Sequence, residues 1–177
     1  MKKLLLTGAA LSVLLLGACS SEETQESNEK KTTKVEADNQ NQKWEKSVSE
    51  IANNNDAVAD KFNELEKYAL NIKVDKKELN KFQKDIISDY KSGSYLSELD
   101  NHERMLSNMF KAIQVEKQTS GPIKDFAFDY YQNLKYAYRG VDLPGSEPVL
   151  ANESQMDKAL SKMEWFWKFY NCRTFFY

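Results

Sequence analysis

The sequence predicts an all-α protein, an antiparallel helical bundle of three to five helices behind a disordered N-terminal tether. From Trp44 onward, apolar residues recur at steps of three and four, the spacing that lines one face of a helix. Gly and Pro punctuate the chain at Gly93, Gly121-Pro122 and Pro144-Gly145, where helices end or begin. No stretch of any length shows the strict alternation of a half-buried strand.

The first stripe is Trp44, Val48, Ile51, Val58, Phe62, Leu65, Ala69 and Ile72, with Asn55 in its one vacant position. That is the heptad spacing of a coiled coil, flanked by Glu45, Lys46, Glu64, Glu66 and Lys67. As one amphipathic helix it would run about 45 Å at roughly 1.5 Å per residue. Two roles stand open for Asn55. A buried Asn at a core position can fix register and partner number; alternatively, Asn53-Asn54-Asn55 marks a loosened turn or a break.

Asp75-Lys76-Lys77-Glu78 has the form of a capping box, with Asp75 as the cap and Glu78 reaching back. Leu79, Phe82, Ile86 and Tyr90 follow, and Leu96, Leu99, His102, Leu106, Met109 and Ile113 continue at helical spacing after Gly93-Ser94. One helix from Asp75 to about Lys117 would be roughly 65 Å long, so a kink or break near Gly93 is expected. A third stripe holds Ile123, Phe126, Tyr130, Leu134 and Ala137, ending at Gly140. Val141 to Ala151 is expected to be a loop. Asn152 to Ser154 then cap a last helix carrying Met156, Leu160, Met163 and Trp167. From Trp165 the chain places eight aromatics in 13 residues, too many for one face. Three alternatives stand: the tail packs back on the bundle, touches membrane, or has left its ancestral frame.

Composition excludes several functions. The single histidine, His102, sits on an apolar stripe, where a structural role is expected. Cys172 has only Cys19 as an intrachain counterpart, so neither a disulfide framework nor a recognisable transition-metal site is present. Apart from Arg173, nothing near Cys172 in the sequence would activate its thiol. There is no nucleophile elbow, phosphate loop or zinc-protease motif, so no catalytic residue, no enzyme activity and no cofactor are expected. The net charge is −2, which gives nucleic-acid binding no electrostatic support. Phe126, Phe128, Tyr130, Tyr131, Tyr136 and Tyr138 are denser than one helical face can bury. They read as core plus rim, or as an exposed face for a sugar polymer or peptide.

The amino end carries the most specific signal. Met1-Lys2-Lys3 is basic, Leu4 to Ala18 is uncharged, and the run closes on Leu16-Gly17-Ala18-Cys19. This resembles the lipobox signal of bacterial lipoproteins residue for residue, over about the first 20 residues. The resemblance implies cleavage between Ala18 and Cys19, with a diacylglycerol thioether on the Cys19 sulfur. Two acyl chains, of palmitate type, hold a protein to membrane where one is marginal.

The expected organisation is a signal peptide over 1–18 and a lipid-anchored disordered tether over 19–41. A helical bundle over 42–164 and the aromatic tail over 165–177 follow. Ser20 to Asn41 has Val35 as its only large apolar residue and cannot offset its ordering entropy. It would span roughly 25–30 Å. Losing the two signal lysines moves the charge from −2 to −4. The expected location is the outer face of the cell membrane. Lipobox, polar tether and charged helices together resemble small helical lipoproteins of Gram-positive bacteria described as cell-wall-binding. That resemblance implies an extracytoplasmic interaction module, with membrane lipid as one partner and wall polymer or a surface protein as another. Two other roles remain. Leu11 to Ala18 has the form of a peptide pheromone excised from a lipoprotein signal, and a surface exclusion protein of a mobile element would look the same.

Overall fold

A computed structural model of the chain describes residues 43–173, with side chains described as far as Trp165. The expected lipobox, the expected tether and the aromatic side chains after Trp165 lie outside the described residues. Six helices fill the described part: α1 (43–53), α2 (Val58–Asn71), α3 (Lys76–Lys91), α4 (His102–Gln118), α5 (Pro122–Tyr138) and α6 (Glu147–Arg173). The all-α bundle is therefore as expected, with one helix more than the upper count.

The extra helix comes from the first stripe, which is a hairpin rather than one long helix. Asn54 Oδ1 accepts from the Asp56 amide at 3.0 Å, and Asn54 Nδ2 reaches Asp56 Oδ2 at 2.8 Å. Such local side-chain bonds compete with the helical ladder. Lys61 Nζ then donates to the Ala52 and Asn54 carbonyls at 2.6 and 2.7 Å, satisfying oxygens left open where α1 ends. Asn55 is exposed in this break, so it is not a buried register device. The stripe still names the buried face: Trp44, Val48, Ile51, Phe62, Leu65 and Ala69 all lie in the core.

Asp75 caps α3 through a 2.8 Å bond from the Glu78 amide. The reciprocal half of the expected box is replaced by a Glu78–Lys81 pair at 3.7 Å. The second stripe does break. Ser92 to Asn101 is a loop, with Gly93 at φ 72°, and Leu96 is buried within it. Leu96 and Leu99 therefore extend the apolar count but not the helix.

Helix α5 closes on a Schellman motif: Val141 N bonds Tyr136 O at 2.9 Å and Gly140 N bonds Ala137 O at 3.0 Å. The left-handed φ of 68° that this needs falls on Gly140. The expected loop from Val141 to Ala151 is shorter than read. Glu147 starts α6, because Pro148 is tolerated in a first turn, and Asn152 to Ser154 lie inside that helix rather than capping it.

Side-chain pairs set the packing. Asp85–Lys111 and Asp89–Asn108 align α3 antiparallel to α4. Tyr68–Phe110 and Ala69–Gln114 align α2 parallel to α4. Asn133 against Val149 and Asn152 joins α5 to α6. Two aromatic groups fill the interior. Trp44 stacks on Phe110 at 4.8 Å and meets Phe82 edge-on at 5.2 Å. Tyr90, Tyr95, Phe126 and Tyr130 form the second.

Candidate functional site

The densest polar organisation lies where the α3–α4 loop meets α5 and the start of α6. Asp89, near the end of α3, is its centre. Asp89 Oδ2 accepts from the Tyr130 hydroxyl at 2.5 Å and from Asn108 Nδ2 at 3.1 Å, while Oδ1 accepts from the Arg104 guanidinium at 3.0 Å. Two neighbouring helices, α4 and α5, thus deliver three donors to one carboxylate. Arg104 also donates to the carbonyls of Ser94, Tyr95 and Ser97 at 3.0, 3.4 and 2.8 Å. A planar fork of five donors suits that gathering role. The loop so held contains Glu98 in the left-handed region at φ 53°, a conformation that persists only where its surroundings impose it.

A second network continues toward α6. The Tyr95 hydroxyl donates to Glu153 Oε1 at 2.8 Å and accepts from Asn133 Nδ2 at 2.9 Å. The same Asn133 nitrogen donates to Val149 O at 3.1 Å, and Asn152 donates to Asn133 Oδ1 at 2.7 Å. The Tyr90 hydroxyl donates to Asp157 at 2.8 Å. Burial raises the phenols of Tyr90, Tyr95 and Tyr130 above their ordinary value. Asp157, Glu153 and Asp89 push the same way, although Asn133 opposes the shift at Tyr95. These hydroxyls therefore act as fixed donors at neutral pH. Both oxygens of Asp89 are occupied, so the cluster is chemically a clamp on the loop. Beside it lies an open recess lined by Asp85, Ser88, Asp89, Ser92, Asn108 and Lys111, with Lys111 already bound to Asp85 at 2.8 Å.

His102 is the first residue of α4, not a mid-helix stripe position. Its Nδ1 lies 3.0 Å from the Tyr138 hydroxyl, tying the start of α4 to the end of α5. Burial pushes the Tyr138 phenol up to about 12. In the aromatic group of α5, Phe126, Tyr130, Tyr131 and Tyr138 are buried, Phe128 is 45% exposed and Tyr136 is half-buried. That is core plus rim. The Arg139 guanidinium sits 4.9 Å above the Phe62 ring.

A different surface lies at the α5–α6 connection and the first turn of α6, where Val141, Leu143 and Leu150 are 61, 71 and 52% exposed. Among the described residues, no His, Cys, Asp and Glu group is arranged to hold a metal ion, and no helix is long and apolar enough to cross a membrane. Ala18 and Cys19 lie outside the described residues, as does the Cys172 side chain.

Sequence patterning missed Asp89, Arg104, Asn133 and Glu153. A signal existed in part. Gln114 sits within the run Ala112-Ile113-Gln114-Val115, all of it buried, and a polar residue inside a dense apolar run needs a partner. Gln114 finds it in the Ala69 carbonyl at 2.7 Å. Comparison with protein-family models, curated proteins and solved structures gives no match to this chain.

Proposed function

We propose that the chain is an exported lipoprotein, held at the outer face of the cell membrane by lipid on Cys19. Its helical domain acts there as a binding or interaction module. The observation that carries this reading is the sequence Leu16-Gly17-Ala18-Cys19 after a basic start and an uncharged run, which positions one thiol for lipid transfer. Two features of the domain support the interaction role. The best-connected polar groups hold loops in place, which suits display of a fixed surface. The α5–α6 connection and the first turn of α6 leave Val141, Leu143 and Leu150 open to solvent, and contact surfaces are built from such groups. The partner class is wall polymer or a surface protein.

The anchor is tested by labelling cells with a fatty-acid analogue. The wild type takes up label and matures, whereas Cys19→Ala takes up none and stays uncut. Equal label on the two forms overturns the proposal. For the module, the chain should retain cell-wall material or a surface protein in a pull-down, and Leu143→Glu should weaken that capture.

A further inference from the structure

We infer that α1 is an exchangeable segment, and that two copies of this chain form a dimer by trading it across the hinge at residues 54–57. A sequence pattern and a packing fact point the same way. Trp44, Val48, Ile51, Val58, Phe62, Leu65, Ala69 and Ile72 keep one heptad stripe through the break, and Asn55 occupies the stripe position inside it. At about 100° per residue, straightening 54–57 into helix keeps both halves on one continuous face. A hairpin needs no such agreement between its arms.

The groove that α1 fills is specific. Phe82 and Phe110 are fully buried against the Trp44 ring, so the occupant that fits is a helix bearing Trp44, Val48 and Ile51. A second copy supplies that helix with its apolar contacts unchanged.

The two states differ only at the hinge. The closed form has the Asn54–Asp56 bonds and the Lys61 bonds to the Ala52 and Asn54 carbonyls. The open form replaces them with helical bonds, since the amides four residues on reach those same carbonyls. Lys61 is only 4% exposed, and its ammonium is the latch that favours the closed form. Ala57 sits at φ −65° and ψ 154°, a conformation that proline adopts without strain and that a continuous helix cannot contain.

The test uses the full chain from Cys19, carrying Cys19→Ser to remove the anchor and kept under reductant so that thiols cannot link copies. Size exclusion with light scattering reads the monomer–dimer balance, and circular dichroism checks folding. Asn55→Leu with Asp56→Ala raises helix propensity in the hinge, so the association constant should rise about tenfold or more. Ala57→Pro should abolish the dimer while helicity stays at the wild-type level. A dimer that persists in Ala57→Pro means that the copies meet face to face, and overturns the proposal. A folded Asn55→Leu/Asp56→Ala chain that stays monomeric at high concentration overturns it equally. Lys61→Met is a second route to the same answer: loss of the latch should also favour the dimer. Neither result depends on lipidation, so the proposed function stands or falls separately.

Discussion

Replacing Asp89 by alanine should be among the most damaging single changes in the polar part of the domain. The carboxylate takes hydrogen bonds from Arg104, Asn108 and Tyr130, and the three donors lose different amounts. Tyr130 is fully buried and Asp89 is its hydroxyl's partner, so that group would bear the desolvation cost of a lost partner, about 1–3 kcal/mol. Asn108 is 9% exposed and adds about 1 kcal/mol. Arg104 keeps its three loop carbonyls, and about a fifth of its side chain is in water, so its loss is the smallest, below about 1 kcal/mol. The expected cost is about 2–5 kcal/mol, a large part of the roughly 5–15 kcal/mol that holds a domain folded.

Tyr130→Phe separates the contributions. It removes one donor but leaves the carboxylate with two, and a bond to a charged group contributes about 1.5–3 kcal/mol. The double variant should then cost less than the sum of the two, by about 1.5 kcal/mol or more, because no hydroxyl remains at that position to be stranded. Urea unfolding followed by circular dichroism measures all three. Hydrogen exchange on Ser92 to Asn101 adds a local readout, since a clamp that holds the loop should protect its amides. If Asp89→Ala costs under about 1 kcal/mol and leaves loop exchange unchanged, the cluster does not clamp the loop.

Two further outcomes follow from the core and from its phenols. Tyr138 keeps its proton to about 12 in the folded chain, against 10.0 for an ordinary phenol. Tyr90, Tyr95, Tyr130 and Tyr131 are also raised. A group with a raised folded value stabilises fully below the unfolded value and loses that contribution as pH climbs through the folded one. The urea midpoint should therefore fall from about pH 10 to 12, and Tyr138→Phe should shrink that fall; an unchanged slope would count against the assignment. In the core, Phe110→Ala should cost about 3–5 kcal/mol. Trp44→Phe should be much milder, because the buried Trp44 Nε1 has no hydrogen-bond partner among the described residues, and removing an unsatisfied donor offsets lost packing. Urea midpoints of the two variants check that ranking.

How far the sequence could be read depends on which question the period answers. Helical spacing reports which face is buried, and it did so at Phe62, Leu65, Phe82, Ile86, Leu106, Met109, Phe126, Tyr130 and Leu134, all buried. Capping chemistry is local, so Asp75 at the start of α3 and Gly140 at the end of α5 were legible from a few residues. The clamp at Asp89 was not. Its partners lie 15, 19 and 41 positions away, and a carboxylate at the edge of an apolar stripe looks like any solvated residue until those distances close.

The first stripe shows the limit most sharply. A heptad repeat kept through residues 54–57 permits both forms, because the closed hairpin and the continuous helix of an exchanged dimer bury the same positions. Straightness is decided off the stripe. Asn54 bonds Asp56 instead of the helical ladder, and Lys61, between stripe positions, turns its amine into the core to cap α1. A buried ammonium is costly unless it is fully bonded, and the open end of α1 offers the carbonyls that satisfy it. The lysine and the break therefore stabilise each other. If the break closes into helix, those carbonyls take amide partners and the Lys61 amine must find others. The preference for a hairpin over a rod thus rests on a few polar contacts, while the whole apolar stripe is indifferent to the choice.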